Sequence, residues 1–225
     1  MSLQQRWCQA LMLGILALSA ACGPPQAGET SSVMGSIDVA KGEHTGDVST
    51  VNGSIHVHEG AVVGSAHTVN GGISLGAHAS ATELKTVNGS IGLGEQATVS
   101  GSVETVNGKL SLADGAEVGA TLTNVNGAIR VAAAHVGGGI DTVSGGIELG
   151  PNAHVDGGIH VHKVNGFSIG FGREDVPRIV IGPGSVVRGT LNFERKVLLY
   201  VSDRATIGTV QGATAVSYAG ERPPG

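Results

Sequence analysis

The chain has 225 residues, of which 38 are glycine, 40% are hydrophobic and only 3% are aromatic, and its formal net charge at pH 7 is −5. Many glycines together with small β-branched residues favour short strands joined by tight corners and exclude a predominantly helical protein. No basic run of five or more residues occurs in the sequence, and this argues against nucleic acid as a partner, because phosphate binding needs clustered Lys and Arg.

The first 21 residues have the pattern of a targeting segment. Arg6 supplies a basic start, the apolar stretch Ala10–Ala21 is short for a membrane span, and small residues lead into Cys22. The arrangement resembles a bacterial lipoprotein signal, and this resemblance implies cleavage before Cys22 and attachment of a lipid to that residue. An ordinary secretory signal, cleaved near Ala21, is the alternative.

Cys22 begins a segment, residues 22–32, that has the composition of a flexible tether. The next residue is Gly23 and not Asp, which in the lipoproteins that the signal resembles implies the outer membrane. Cys8 would leave with the signal, so the remaining chain has one cysteine and no intramolecular disulfide. Loss of Arg6 leaves 12 basic and 18 acidic residues, a net charge of −6.

A motif of the form Thr-Val-Asn-Gly recurs along the next part of the chain. It stands as "TVNGSI" at Thr50–Ile55, and its asparagines, with Ser144 and Asn165 at equivalent positions, follow one another at spacings of 18, 18, 19, 19, 18 and 21. A fixed period of this size indicates a stacked array of coils. Stacked asparagine amides hydrogen-bond from coil to coil, and we expect the glycines beside them to adopt a positive φ angle. The predicted corner ladder consists of Asn52, Gly53, Asn70, Gly71, Asn88, Gly89, Asn107, Gly108, Asn126 and Gly127.

A finer apolar period of six residues lies inside each repeat. It runs through Val51, Val57 and Val63 and continues with interruptions to Val161, so three steps of six make one coil with three sides. The pattern predicts an all-β protein: a single-stranded parallel β-helix with about 18 residues in each triangular coil, spanning residues 33–218. It also predicts that the valine of each motif lies in the core.

A polar row precedes the motif threonines, and we expect it to face solvent. Its members are Ser49, His67, Lys85, Glu104, Thr123, Asp141 and His162.

The rhythm changes after Val164, where the charged stretch Gly170–Pro177 interrupts the six-residue step. Because a solenoid must cover its last open edge, we expect irregular terminal coils and an aromatic-enriched cap over residues 164–218, followed by a tail, residues 219–225. The aromatic residues beyond the signal all lie there: Phe167, Phe171, Phe193, Tyr200 and Tyr218.

The repeated "TVNGSI" coils are similar to the adhesin-repeat family of bacterial envelope proteins. The six-residue step and "VVRGTL" at Val186–Leu191 are also similar to bactofilins, which are polymer-forming cytoskeletal proteins. The resemblance implies a right-handed helix and self-association. The same step also suits the left-handed β-helix of hexapeptide acyltransferases, so the handedness stays open.

Two His-x-His pairs, His56 with His58 and His160 with His162, are the only hints of a metal site. Alternate residues of a strand share a face, so each pair offers two ligands. No third ligand recurs at a fixed offset. We therefore predict no metal site and no cofactor.

Two enzyme classes use β-helices, and neither has a clear signature here. An acyltransferase needs a catalytic histidine in a cleft, and His78, His135 and His154 have no distinguishing context. A polysaccharide lyase or hydrolase needs clustered acidic or basic residues on one face. The carboxylates do not form an obvious column: Asp114, Glu117, Asp141, Glu148 and Asp156.

The sequence therefore predicts a non-enzymatic, lipid-anchored β-solenoid of the cell envelope that acts as a structural, adhesive or scaffolding module. Its partners would be the membrane, through Cys22, and a further copy of the chain or an envelope protein or polysaccharide. The alternative is a β-helix enzyme that acts on carbohydrate or transfers an acyl group.

Overall fold

The computed structural model describes residues 28–163 and 176–223, which form 27 short strands and no helix. All strand pairs are parallel and stack coil upon coil into three sheets, so the predicted all-β parallel β-solenoid is confirmed. No described helix is long and apolar enough to cross a membrane. Cys22, Asn165, Phe167 and Phe171 lie outside the described residues.

The first sheet, here called face 1, contains the Thr-Val-Asn motif residues. In stacking order its strands are β1 Thr30–Met34, β3 Val48–Asn52, β5 Ser65–Asn70, β8 Glu83–Asn88, β11 Val103–Asn107, β14 Leu122–Asn126, β17 Ile140–Thr142, β20 Ile159–Val161, β23 Leu191–Phe193 and β26 Val210–Gln211.

The second sheet, face 2, begins after the Asn-Gly corner. Its strands are β2 Ile37–Val39, β4 Ile55–Val57, β6 Ile73–Leu75, β9 Ile91–Leu93, β12 Leu110–Leu112, β15 Ile129–Val131, β18 Ile147–Leu149, β21 Arg178–Ile181, β24 Leu198–Ser202 and β27 Ala215–Tyr218.

The third sheet, face 3, has the shortest strands. They are β7 Ser80–Ala81, β10 Thr98–Val99, β13 Glu117–Val118, β16 His135–Val136, β19 His154–Val155, β22 Val186–Val187 and β25 Thr206–Ile207. Isolated bridges from His44 to Val62 and from Val62 to Ser80 extend this face toward the first coils.

The core is a column filled by two inward residues from each face of each coil. On face 2, Ile55 and Val57 are buried while His56 between them is exposed, as the two-residue period of a strand requires. On face 3, Ala61 and Val63 are the buried pair. The buried positions of face 3 include small alanines, whereas those of face 2 are larger isoleucines, leucines and valines.

The predicted six-residue apolar series is right on faces 2 and 3 and only partly right on face 1, where Val143 and Val161 are buried but the valines of the earlier motifs are not. Val57 and Val63 are buried, whereas Val51 is only half-buried. The inward position of β3 belongs to Thr50, which has no exposed surface. Because successive strand residues point to opposite sides, the valine that follows this threonine must face outward.

Left-handed backbone occurs mainly at the corner between faces 2 and 3. His78, Gln96 and Asn152 lie there with φ angles of 56°, 55° and 58°. Of the five ladder glycines, only Gly127 has a positive φ, of 126°. The expectation of a positive φ is therefore wrong for the other four, Gly53, Gly71, Gly89 and Gly108.

Steric crowding between coils is what requires these four glycines. A Cβ atom at Gly89 would collide with the carbonyl oxygen of Gly71 in the preceding coil. The same collision with the equivalent glycine recurs along the column. The Asn-Gly corner is tight along the stack axis, and this close approach, not a positive φ angle, is what requires glycine at these four positions.

The solenoid starts earlier than predicted. β1 begins at Thr30 and pairs with β3, with Thr30 opposite Val48, so residues 30–32 of the predicted tether form a strand. A polar strand is tolerated here because β1 is the end strand of the stack and most of its side chains are exposed.

The stack also continues in regular strands after the interruption. Ile179 of β21 pairs with Ile147, and Leu191 of β23 pairs with Ile159. Paired residues across this coil are 32 positions apart in the sequence, whereas those in earlier coils are 18 or 19 apart. The difference arises because segment 164–175 lies between β20 and β21. Residues 178–218 thus form ordered coils where irregular ones were expected.

The described aromatic residues lie within this stack. Phe193 is buried at an inward position of β23. Tyr218 in the last strand is also buried, and its hydroxyl donates a 3.1 Å hydrogen bond to the carbonyl oxygen of Ile181. The Arg178 guanidinium lies 4.9 Å from the centre of the half-buried Tyr200 ring. That aromatic residues cap the end of the stack stays a prediction.

Candidate functional site

The side chains of the repeated Thr-Val-Asn-Gly motif form hydrogen bonds between neighbouring coils. The Asn70 amide Nδ2 donates to Asn52 Oδ1 at 3.0 Å. Asn88, Asn107 and Asn126 each repeat this bond to the preceding asparagine at 3.0 Å. The amides form a continuous exposed ladder that holds the coils in register.

The motif threonines make a second, buried set of bonds. Thr68 and Thr86 each donate from Oγ1, at 2.9 Å, to the carbonyl oxygens of Gly53 and Gly71 in the coil before. Thr50 and Thr105 do the same at 3.1 and 2.9 Å. Asn124 takes the threonine position in its coil, and its Nδ2 donates to a glycine carbonyl at 2.9 Å. Since Thr, Asn and Gly each serve the neighbouring coil, the motif is a stacking device.

Most of the polar row on face 1 is half-buried and Thr123 is buried, so the row is less open to solvent than expected. One of its predicted members is also wrong. Strand pairing runs from Glu104 through Thr123 and Asp141 to His160. His162, which was expected in this row, lies two residues further on. The count failed because the last motif spacing of 21 residues includes part of the inserted segment, whereas the strands themselves pair at 19.

A charged cluster occupies the middle of this row. Lys85 Nζ lies 2.9 Å from Glu83 Oε1 and 3.8 Å from Glu104 Oε1. The Ser102 hydroxyl approaches both carboxylates, at 3.0 and 2.9 Å. Burial raises the pKa of Glu83, but the hydrogen bonds from Lys85 and Ser102 outweigh it, so the net pKa lies below the usual value.

His67 borders this cluster as a half-buried imidazole. Burial lowers its pKa, and the nearby Glu83 carboxylate only partly opposes that effect. Its Nε2 atom is buried and makes no hydrogen bond within the described part of the chain; Glu83 Oε2 is 3.6 Å away. His67 is therefore a candidate for pH-dependent stability.

The second His-x-His pair meets a carboxylate from the preceding coil. His162 Nε2 lies 3.3 Å from Asp141 Oδ1, and His160 Nδ1 lies 3.9 Å from the same oxygen. The two imidazole rings are 3.8 Å apart between centres and tilted by 32°. One ligand atom from each of the three residues lies within 4.8 Å of the others.

A second carboxylate, that of Glu194, contacts the other ring nitrogen of His160. Its Nε2 lies 3.1 Å from Glu194 Oε1 and 3.2 Å from the Asn192 amide. The backbone N–H of Lys163 donates to Glu194 Oε2 at 3.2 Å. This hydrogen bond from Lys163 is the main reason that the pKa of Glu194 is lowered, although burial partly opposes it.

The first His-x-His pair has a related sequence setting and a different geometry. Asp38 lies opposite His56 in the adjoining strands, and His58 Nε2 is 3.6 Å from Asp38 Oδ1. However, His56 Nδ1 bonds to the Ser74 hydroxyl at 3.0 Å in the following coil. The side chains of Asp38, His56 and His58 therefore do not converge as those of the second pair and Asp141 do.

Another histidine cluster lies on face 3, where His135 and His154 are adjacent in register. His135 Nε2 lies 2.8 Å from Asp156 Oδ2, and its Nδ1 lies 3.6 Å from Glu117. Arg188 pairs with the other oxygen of Asp156. The pKa of Asp156 is lowered, mainly by the hydrogen bond from His135. These side chains line a shallow groove of about 510 Å³.

This groove brings together residues that lie far apart in the sequence. Both ring nitrogens of His135 lie near carboxylates of neighbouring coils. His78 lies at the corner between faces 2 and 3, and its backbone has the left-handed conformation there. Glu148 pairs with Arg130 at 2.9 Å, and Asp114 accepts from the Ala133 N–H at 3.2 Å.

Sequence reasoning missed the convergence of Asp141, His160 and His162. The signal was present as "ID" at Ile140–Asp141 followed one coil later by "IHVH" at Ile159–His162. This signal could be recognised only once the pairing register of the strands was known. Comparison with protein-family models, with curated proteins and with solved structures gives no match to this chain.

Proposed function

We propose that the protein is a non-enzymatic scaffold of the cell envelope, tethered to the outer membrane by a lipid on Cys22. One observation supports this proposal. The side chains of the recurring motif, which is the most repeated feature of the chain, are engaged in hydrogen bonds between neighbouring coils. What these bonds produce is a rigid prism with long parallel β faces. Such surfaces suit structural, adhesive or scaffolding contacts with a protein or polysaccharide.

The tether is tested by fractionation of cells that carry the wild-type chain or the Cys22→Ser variant. We expect the wild-type chain in the outer-membrane fraction, released only by detergent, because one diacyl anchor holds a protein firmly. The variant should appear in the soluble envelope fraction. Unchanged membrane association of Cys22→Ser would refute lipid attachment at this residue.

The scaffold role is tested against the enzyme alternative with a panel of envelope polysaccharides and peptidoglycan. The purified chain should bind without releasing reducing ends, unsaturated products or acyl groups. The matched variants are His135→Gln and Asp156→Asn, which remove the central pair of the groove on face 3. Product formation that these variants abolish would establish the enzyme alternative.

A further inference from the structure

Asp141, His160 and His162 have the donor set and spacing of a transition-metal site. Two ligands bound to one Zn²⁺ ion at tetrahedral angles lie roughly 3.4 Å apart, given metal–ligand bonds of about 2.1 Å. The contact between His162 Nε2 and Asp141 Oδ1 is 3.3 Å, and that between His160 Nδ1 and the same oxygen is 3.9 Å. Each of the three ligand atoms lies within 4.8 Å of the other two, so small side-chain adjustments would bring them onto one ion.

The fold holds these donors in place from two adjacent coils. Asp141 and His160 lie directly opposite each other in β17 and β20. His162 follows on the same outward side, and its backbone N–H donates to the Thr142 carbonyl at 2.9 Å, which continues the parallel pairing. The three side chains are 20%, 30% and 16% exposed, respectively, so the site is half-buried and still open to solvent.

A second, independent observation points to the same use of His160. Histidine ligands usually donate their other ring N–H to a carboxylate, which fixes the tautomer and aims the free nitrogen at the metal. Glu194 Oε1 lies 3.1 Å from His160 Nε2, and Lys163 N–H holds the other Glu194 oxygen. When Nε2 carries the proton and donates it to Glu194, the Asn192 amide nitrogen 3.2 Å away does not donate to Nε2. The Nδ1 lone pair is then free on the side of Asp141.

We propose that Asp141, His160 and His162 bind a divalent transition-metal ion, for which Zn²⁺ is the probe, with Glu194 as the carboxylate that orients His160. Two imidazoles and one carboxylate suit Zn²⁺ and its first-row neighbours, whereas Ca²⁺ and Mg²⁺ prefer oxygen donors alone. The ion would clamp the coil of β17 to that of β20 immediately before segment 164–175. This inference does not depend on the scaffold role or on the lipid anchor.

The experiment is isothermal titration of Zn²⁺ into the full chain, purified without a histidine tag and stripped of metal with a chelator. The variants are Asp141→Asn and the double substitution His160→Gln with His162→Gln. Glu194→Gln tests the orienting carboxylate. The matched control is His56→Gln with His58→Gln, which removes the other His-x-His pair. Circular dichroism checks that each variant keeps its β structure.

We expect one ion per wild-type chain, an unchanged affinity in the control and loss of binding in the double histidine variant. Asp141→Asn should weaken binding by more than tenfold and Glu194→Gln by roughly tenfold. Bound Co²⁺ should show the visible absorption of a nitrogen- and oxygen-ligated ion in the wild type and in the control, and not in the double histidine variant. Equal binding by the wild type and the double histidine variant would overturn the proposal. So would full affinity in Asp141→Asn, which keeps both imidazoles and serves as the deciding variant if the double one unfolds.

Discussion

The buried hydroxyl of Thr86 donates a 2.9 Å hydrogen bond to the carbonyl oxygen of Gly71 in the preceding coil. This bond ties the first residue of one motif to the last residue of the motif before it. It explains why one of the two inward positions on face 1, that of the motif threonine, is polar in these coils, while nearly all other inward positions are apolar. The coils of β3, β5, β8, β11 and β14 each carry one such buried bond, which fixes the position of the coil along the stack.

Thr86→Val should lower the free energy of unfolding by about 1–2 kcal/mol, because valine keeps the shape and loses a buried hydrogen bond. Urea denaturation of the full chain measures this difference. Thr98→Val is the control, since Thr98 is exposed on face 3 and the same substitution removes no buried bond there. Equal stability of Thr86→Val and the wild type would show that this bond does not hold the coils together.

Gly89→Ala should destabilise the protein by about 1–3 kcal/mol, the usual cost of overpacking. The reason is contact with Gly71 of the coil before, and the φ angle plays no part. Gly92→Ala is the matched control, because its added methyl would meet only the Ser111 hydroxyl at 3.5 Å. Denaturation midpoints compare the two. A neutral Gly89→Ala would contradict the tight stacking of the Asn-Gly corner.

Stability should fall as the pH drops below about 6.5, in part because of His67. Burial lowers the folded-state pKa of this imidazole below its ordinary value of 6.5. The unfolded chain therefore takes up the proton first, and unfolding becomes easier between that value and the lower folded-state pKa. A single group gives a slope of at most ~1.4 kcal/mol per pH unit.

The measurement is the free energy of unfolding as a function of pH for the wild type and His67→Gln. The groups that face His67 are Glu83, Lys85, Asp47 and Glu104, and all four are kept in the variant. Above pH 7 the two curves should run parallel, and below it the wild-type curve should fall more steeply. Parallel curves throughout would mean that His67 titrates normally in the folded protein.

Self-association should occur through the ends of the stack and depend on exposed apolar side chains there. Val33 and Met34 of β1 are 71% and 80% exposed, and Val216 of β27 is 50% exposed. End strands with unused backbone groups are templates for pairing with another chain. Light scattering should show a mass that rises with concentration in the wild type and less in Met34→Glu.

Leu198→Glu is the control for this experiment. Leu198 is 46% exposed but lies in β24, which has a paired strand on each side. It should leave the association unchanged. A wild-type chain that stays monomeric at high concentration would remove self-association from the proposed function.

Most of the fold could be predicted from local pattern, because each coil repeats the same few constraints. "IHV" at Ile55–Val57 alternates apolar and polar residues, and the structure buries its two apolar ends. The short strands, the three faces and the parallel stacking follow from such segments recurring at 18 or 19 residues. The requirement for glycine at the Asn-Gly corner was also predicted. The predicted reason was a positive φ angle, whereas the structure shows close contact between neighbouring coils.

The inward side of face 1 could not be predicted from hydrophobicity. A hydrophobic scale selects Val51 over Thr50 for the core, and the structure does the reverse. Thr50 is acceptable inside only because a carbonyl of the neighbouring coil accepts its hydroxyl proton at 3.1 Å. That partner is 15 residues away in sequence and is invisible to a local pattern.

The sequence by itself determined the all-β class and the coil length, since periodicity and residue size act locally and repeat along the chain. Only the tertiary structure decided which residues share a row, because register depends on how successive coils pair. The row of Asp141 shows the difference, since a count of motifs assigns His162 to it while strand pairing assigns His160. The convergence of Asp141 with both histidines exists because two coils stack, and no single stretch of the sequence contains it.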